Sequence, residues 1–200
     1  MNIFTLSNCP RESAQMMCDR HVVKMATESM QMISTIMDLH GFKTPMKPVM
    51  LNHPCTIWAR ESSNNFEWLV NHCSSLCEEY TVRYNKTHKV EEHMKNYVDE
   101  IEQTAYEIKL NSGSDYTPFA IAISDDMQCR RQTGFDEATT IEKYRMYYLH
   151  DKWHFATWKT NSPEWWPDDW YKQKLTEQYR RDKNVRQMRK RNNNETNIIG

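Results

Sequence analysis

The stretch CDRHVVKMATESM, residues 18–30, decides the first helix and the layout of the fold around it. Glu28 lies at the edge of the inward face, within about 60° of His21 on a helix of 3.6 residues per turn. The stretch therefore predicts either a structural glutamate, paired for example with Lys24, or a catalytic carboxylate in a partly buried position. The inward face consists of small and apolar residues spaced as on a buried helix: Cys18, Val22, Met25, Ala26 and Ser29.

Other segments of the chain carry the same helical spacing. Only four glycines occur in 200 residues, which argues against a turn-rich β architecture and against a phosphate-cradling glycine loop. We predict a mainly α protein, a compact single-domain helical bundle with a short extended N-terminal segment at residues 2–6. The helices are predicted from Pro10 to Gly41, from about Pro54, over 66–84, over 89–110 and from about Thr139 to Lys159.

The two ends of the chain differ in charge. Residues 171–200 contain nine Lys/Arg and three Asp/Glu and carry +6, so the other 170 residues carry −7 of the total of −1. A basic end on an acidic body indicates a polyanionic partner. We predict a helical catalytic or binding domain over 1–160, then a Trp-rich connector and a basic, partly disordered tail over 161–200.

Several classes of protein are disfavoured. No apolar run approaches the roughly 18 residues of a membrane span, and the first residues do not resemble a signal peptide, so we expect a cytoplasmic protein without membrane contact. Cys73 and Cys77 have core spacing and are expected to be reduced. His150 and His154 have the spacing of metal ligands on a helix, but no third ligand is evident, although His53 is conceivable. We predict structural histidines, no metal and no cofactor.

The segment YRMYYLHDKWHFATWK, residues 144–159, alternates aromatic and basic side chains. Tyr144, Tyr148 and Phe155 can form an inner face. The remaining aromatic and basic residues suit base stacking together with phosphate contact: Tyr147, Trp153 and Trp158 with Arg145, Lys152 and Lys159. Simple packing of bulky residues in the core explains the same pattern equally well.

Four stretches, in the right order, resemble the phage-type pyrimidine-dimer DNA glycosylase/AP lyase (endonuclease V) family. The resemblance covers roughly residues 1–152, with an insertion around 86–110. It rests on CDRHVVKMATE, with a glutamate seven residues after the histidine; on NHPCTIWARES with the following FEWL and LCEEY; on SDYTPFAIAIS; and on YRMYYLHDK.

The resemblance implies a compact helical domain whose N-terminal α-amine attacks C1′ of a damaged nucleotide, forms a Schiff base and cuts the strand by β-elimination. A carboxylate stabilises the sugar cation and moves protons. On this chain the carboxylate is Glu28, which His21 helps to position. The amine belongs to Met1 or Asn2, because the family exposes a small residue by removing the initiator methionine, whereas a residue as large as Asn2 normally blocks that removal.

The resemblance also implies contacts with DNA. The family flanks its glutamate with arginines, but this chain has Ala26, Thr27 and Ser29 there. A flipped base is expected to stack on Trp58, Tyr147 or Tyr148. The candidate DNA-binding residues are Arg20, Lys24, His53, Trp58, Arg60, Arg145, Tyr147, Tyr148 and Lys152.

The sequence thus predicts a DNA glycosylase, with or without AP lyase activity, that acts on a damaged or modified base. One alternative is an enzyme that modifies a DNA base or nucleotide on the same scaffold, suggested by the missing arginines and the Trp-rich end. The other is a non-catalytic nucleic-acid-binding protein that works through its basic tail.

Overall fold

The computed structural model describes residues 2–167 and 169–196, without the side chains of 170, 171, 186, 187 and 189–196. These residues contain helices and no strand, which confirms the mainly α prediction. The helices are α1 (Pro10–Met16), α2 (Asp19–Leu39), α3 (Pro54–Arg60), α4 (Ser63–Tyr84), α5 (Lys89–Asn96), α6 (Val98–Ser112), α7 (Thr140–Tyr147) and α8 (Asp169–Thr196), with a 3₁₀ turn at Gln128–Arg131 and a π-helical turn at Tyr148–Lys152.

Helices α2 and α4 form the centre of a compact unit that spans residues 1–162. The inward face predicted for residues 18–30 is correct, because its five members are almost completely buried. On α4, Phe66, Leu69 and Leu76 are fully buried, and each such side chain stabilises the fold by about 1.5–3 kcal/mol. Cys73 and Cys77, predicted as core thiols, are also buried.

The single helix predicted from Pro10 to Gly41 is wrong, since the chain is extended at Met17 and Cys18 between α1 and α2. A buried arginine of α4 holds this break open. Arg83 donates to the carbonyl oxygens of Met17 and Gln15 at 2.8 Å each and pairs with Asp19 at 3.2 Å. These bonds satisfy carbonyl groups at the end of α1 that have no partner within the helix. The break between α1 and α2 could not be predicted from local periodicity, because Arg83 is distant in the sequence.

Two further helix predictions need correction. The helix expected over 89–110 is interrupted at Tyr97, whose φ of −123° and ψ of 24° separate α5 from α6. The helix expected from Thr139 to Lys159 begins as predicted, with a capping box between Thr139 and Glu142. It then widens into the π-helical turn, where the Asp151 carboxylate accepts hydrogen bonds from two backbone N–H groups of the 3₁₀ turn at 2.8 and 2.9 Å. Tertiary bonds of this kind end the helix before Lys159.

Residues 163–200 form a second compact unit. Its helix α8 covers most of the segment for which the sequence predicted a partly disordered tail. The helix is rich in Lys, Arg and Gln, which favour helix formation, and Glu177 pairs with Arg181 at 3.8 Å. Asn197 to Gly200 lie outside the described residues. In the part of the chain that is described, no helix has the length and apolar character required to cross a bilayer.

Candidate active site

The N-terminal segment, residues 2–6, forms neither helix nor strand and is buried throughout. Distant elements hold its backbone. Leu6 donates to Ser13 Oγ at 3.0 Å, and the Leu6 carbonyl accepts from Arg145 Nε at 3.2 Å and Nη2 at 2.9 Å. The Asn2 side chain donates from Nδ2 to the Ala122 carbonyl at 2.7 Å. The segment therefore has a fixed position in the core.

A left-handed residue turns this segment towards α2. Phe4 has a φ of 44°, a conformation that costs a bulky residue about 1–2 kcal/mol. Two features stabilise it. The Phe4 N–H donates to Asn2 Oδ1 at 2.9 Å, and the Phe4 ring stacks on His21 with centroids 4.3 Å apart and on Tyr147 at 5.8 Å. This strained residue thus packs against His21 of α2, and such strain is common at functional sites.

Glu28 accepts a hydrogen bond from the start of the chain. The Asn2 backbone N donates to Glu28 Oε2 at 3.0 Å, while Lys24 Nζ lies 2.9 Å from Oε1. The Glu28 side chain is 12% exposed and that of Lys24 is 65% exposed, so solvent reaches the pair from one side. One carboxylate oxygen is ion-paired, as expected for a structural glutamate. The other contacts the N-terminal segment, as expected for a catalytic carboxylate. Met1 lies outside the described residues.

His21 is a buried neutral imidazole at this site. Burial first, and then the charges of Lys152, Lys24 and Arg20, lower its pKa to about 3. Its Nδ1 lies 2.5 Å from the Tyr148 hydroxyl oxygen. Because it stacks on Phe4 and contacts Tyr148, His21 supports the N-terminal segment rather than carrying a charge near neutral pH.

Three cations lie near His21 and form what we call the basic cluster: Arg20, Lys24 and Lys152. All three act on the pKa of the same imidazole through their charge. Arg20 lies over the ring of Phe155 at 4.9 Å, and Lys152 Nζ over that of Tyr147 at 4.2 Å. Arg20 and Lys24 are exposed and Lys152 is half-buried. The cluster offers positive charge beside Glu28, where phosphates would need it.

The aromatic residues expected to stack on a flipped base are not open to solvent. Trp58 is 2% exposed and donates from its indole to the Thr117 carbonyl at 3.3 Å, and Tyr148 is fully buried. Tyr147 is 8% exposed, with Phe4 and Lys152 against its ring. In this conformation the rings are packed in the core, and their stacking on a flipped base stays a prediction.

Three other candidates for DNA contact are placed by local structure. His53 caps α3, with its Nδ1 accepting from the Cys55 N–H at 3.2 Å. Arg145 binds the Leu6 carbonyl and so holds the N-terminal segment. Arg60 is half-buried in the last turn of α3. Their contribution to DNA binding stays a prediction.

No metal site is found among the residues that the structure describes, which contain no group of three or more His, Cys, Asp or Glu side chains able to hold an ion. His150 lies in the π-helical turn and His154 just beyond it. Burial lowers the pKa of both imidazoles. His150 is half-buried and His154 is exposed, so partial desolvation is enough to disfavour their charged forms.

One supporting element was not predicted from the sequence, the segment FAIAI at residues 119–123. The Tyr144 hydroxyl donates to the Ala120 carbonyl and accepts from the Ala122 N–H, both at 3.0 Å. Ala122 in turn holds the side chain of Asn2. A signal was available, because this segment belongs to one of the four stretches that resemble the endonuclease V family.

The family model for pyrimidine dimer DNA glycosylase matches residues 1–92. This range includes the N-terminal segment, Glu28 and helices α1 to α4. Within it the match confirms the resemblance stated from the sequence, and it includes the first two of the four stretches. At family level it supports a DNA glycosylase, with DNA as the substrate. No curated protein and no solved structure matches the chain.

Proposed function

We propose that this protein removes a damaged or modified base from DNA through an amine at the start of the chain, with Glu28 as the proton-transferring carboxylate, and then acts as an AP lyase. The observation that carries the proposal is the 3.0 Å distance between the Asn2 backbone nitrogen and Glu28 Oε2. It brings the beginning of the chain within hydrogen-bond reach of a carboxylate. That is the spacing general acid–base catalysis requires.

The chemistry follows from these two groups. A neutral amine attacks C1′, the bond from C1′ to the base breaks, and the base leaves with the electron pair and takes up a proton. The sugar ring then opens as its O4′ leaves C1′ and is protonated, which gives a Schiff base. Loss of a C2′ proton expels the 3′ phosphate. An α-amine has a pKa near 8, so a useful fraction is neutral at working pH, and Glu28 serves each proton transfer.

Two amines are candidates. If Met1 is retained, the Asn2 nitrogen is an amide whose bond to Glu28 holds the Met1 amine one residue away. If Met1 is removed, the Asn2 nitrogen is itself the amine that contacts Glu28. Both versions use the same carboxylate and the same clamp on the Asn2 side chain.

The charges around Glu28 favour a polyanionic substrate. Arg20 and Lys24 are exposed beside it, with Lys152 nearby. These side chains take the place of the family's flanking arginines in supplying positive charge for phosphate contact. We assign the basic cluster to the phosphates next to the target nucleotide.

Borohydride trapping on DNA with an abasic site tests the amine directly. We expect a covalent adduct, and peptide mass spectrometry of the digested adduct should place the modification on Met1 or Asn2. Chemically acetylated protein, checked for retained helicity, is the matched negative control. An unmodified protein that gives no adduct, or an adduct mapped to an internal lysine, would contradict the proposed nucleophile.

Analysis of the nucleosides in treated DNA separates the alternatives. Release of a free base supports the glycosylase. An altered base that stays on its sugar would instead identify an enzyme of base modification on this scaffold. DNA binding without either product, insensitive to Glu28→Gln, would identify a non-catalytic binding protein.

A further inference from the structure

Most of the Lys and Arg positions of α8 lie on one side of the helix. Six of the nine fall within an arc of about 140° when α8 is taken as a helix of 3.6 residues per turn. The two acidic residues in the middle of α8, Glu177 and Asp182, lie outside that arc. We call the set the basic stripe: Lys172, Arg180, Lys183, Arg186, Lys190 and Arg191.

The described part of α8 is unusually open to solvent. Residues 177–185 are all exposed, including Arg180 and Lys183 of the basic stripe. Three apolar side chains are exposed as well, with Tyr179 at 48%, Val185 at 47% and Met188 at 64%, whereas Leu175 is half-buried. A helix that served mainly to complete a core would bury such residues. The composition of α8 therefore indicates a surface element defined by charge.

Charge complementarity identifies the partner. Residues 171–200 carry +6 and the remaining 170 residues carry −7. An acidic body is repelled by DNA at long range, whereas most non-specific affinity for DNA comes from Lys and Arg that neutralise phosphates and release counterions. The strongest net positive charge in the chain thus resides in the segment that contains α8.

We infer that the basic stripe of α8 binds the phosphate backbone of DNA and supplies affinity that the acidic body lacks. The inference deepens the proposed function and rests on it for the identity of the polyanion. Phosphate contact by lysine and arginine requires no base readout, so the contribution should be the same for damaged and undamaged DNA.

A pair of charge-matched variants of the full chain tests the stripe. The stripe variant is Lys183→Gln, Arg186→Gln and Lys190→Gln, and the control is Lys174→Gln, Arg181→Gln and Arg189→Gln, whose positions lie outside the arc. Both remove three positive charges, and glutamine has a helix propensity close to that of lysine and arginine. Circular dichroism checks that both variants keep their helix content.

The readout is affinity for undamaged duplex DNA as a function of salt concentration. For the stripe variant we expect the slope of log K against log salt to shrink by about two to three, and affinity at about 0.1 M salt to fall roughly tenfold to a hundredfold. The affinity of the control variant for the same DNA should fall by less than about threefold. Equal losses in both variants, or no loss in either, would overturn the inference.

Vesicles of phosphatidylcholine and phosphatidylserine provide a second probe. If the stripe variant loses vesicle binding but keeps its affinity for DNA, the stripe serves a membrane surface and the inference is wrong. The proposed function is judged separately, on the wild-type protein. If the wild-type protein gives no borohydride adduct, the proposed function is contradicted. If the stripe variant nevertheless loses DNA affinity, the inference about the basic stripe is still supported.

Discussion

The N-terminal segment and helix α8 lie at opposite ends of the sequence and are held in opposite ways. The N-terminal segment is buried, and its anchors come from remote residues such as Ala122 and Arg145. The described side chains of α8 are largely exposed, and its hydrogen bond from Thr176 to the Lys172 carbonyl and its ion pair between Glu177 and Arg181 are internal to the helix. The difference matches two physical tasks. Attack on a carbon atom requires atoms fixed to within about an ångström, whereas attraction of phosphates requires mainly charge.

The largest effect is expected where position matters most. Glu28→Gln keeps an oxygen that can accept from the Asn2 N–H but removes the charge and the proton-accepting carboxylate. We expect the single-turnover rate of strand cleavage to fall about 10²- to 10⁴-fold, the usual contribution of a general acid–base group. Quenched-flow assays on DNA with an abasic site would measure it.

Glu102→Gln on the exposed face of α6 is the control for this change, and its rate should equal that of wild type. Denaturant titration should show that both variants remain folded, because glutamine still accepts from the Asn2 N–H and the lost partner, Lys24, is largely exposed. A Glu28→Gln variant with wild-type cleavage would remove Glu28 from the mechanism.

A second prediction concerns pH. The pKa values of His21 and His72 are lowered to about 3 and about 4, in both cases mainly by burial, whereas an unfolded histidine has a pKa near 6.5. Between pH 6.5 and about 4 the unfolded chain binds protons that the folded chain does not. The free energy of unfolding should therefore fall as pH falls, by roughly 1.4 kcal/mol per pH unit for each histidine, and be fully restored above pH 6.5.

Urea titrations between pH 7 and pH 4.5 would measure this dependence. The slope in a His21→Gln variant should be smaller by about one proton. His88, whose pKa is raised mainly by its hydrogen bond with Cys77, acts in the opposite direction and is unchanged in both proteins. The same slope in wild type and variant would show that His21 does not contribute to the pH dependence.

A third, smaller effect is expected at the clamp on the N-terminal segment. Arg145→Ala removes two charge-assisted hydrogen bonds to the Leu6 carbonyl. We expect a loss of about 1.5–3 kcal/mol in the free energy of unfolding, together with slower cleavage because the segment is less firmly positioned. Chemical denaturation and the cleavage assay measure the two effects.

Arg131→Ala, which changes an exposed arginine of the 3₁₀ turn, is the matched control and should leave both quantities within about 0.5 kcal/mol of wild type. If Arg145→Ala lowers stability but leaves the cleavage rate intact, the clamp is structural only and the N-terminal segment does not need it for catalysis.

The smallest effect is expected in α8. Val185 is 47% exposed, so Val185→Ala should change the free energy of unfolding by no more than about 0.5 kcal/mol. A loss above about 2 kcal/mol would show that α8 is packed as a core element, and the contrast with the N-terminal segment would disappear.

The sequence predicted helix positions well where periodicity depends on a helix's own residues. The inward face of residues 18–30 and the core spacing of α4 are examples. It failed where a distant residue decides the outcome. The hydrogen bonds of Arg83 separate α1 from α2. Asp151, in the π-helical turn that follows α7, accepts hydrogen bonds from the 3₁₀ turn. Neither interaction can be predicted from the local hydrophobic periodicity. The helix in the tail was missed because its charge suggested solvation rather than order.

The candidate site divides in the same way. The placement of Glu28 beside the start of the chain was expected from the family resemblance, and the Asn2 contact supports it. The roles of Trp58, Tyr147 and Tyr148 could not be read from composition, because an aromatic residue near cations suits either a base or a core. The positive φ of Phe4 and the hydrogen bond accepted by the Ala122 carbonyl could not be predicted, because both depend on the folded backbone and not on the type of side chain.

The clamp on Asn2 and Leu6 also has a consequence for biosynthesis. Its partners Ala122 and Arg145 lie 120 and 139 residues further along the chain, so the first residues translated acquire their final neighbours only after most of the polypeptide has left the ribosome. Such long-range pairing is slow compared with local helix formation. The N-terminal segment of the nascent chain therefore lacks its anchors at first, and its contact with Glu28 should become fixed only after Arg145 has emerged.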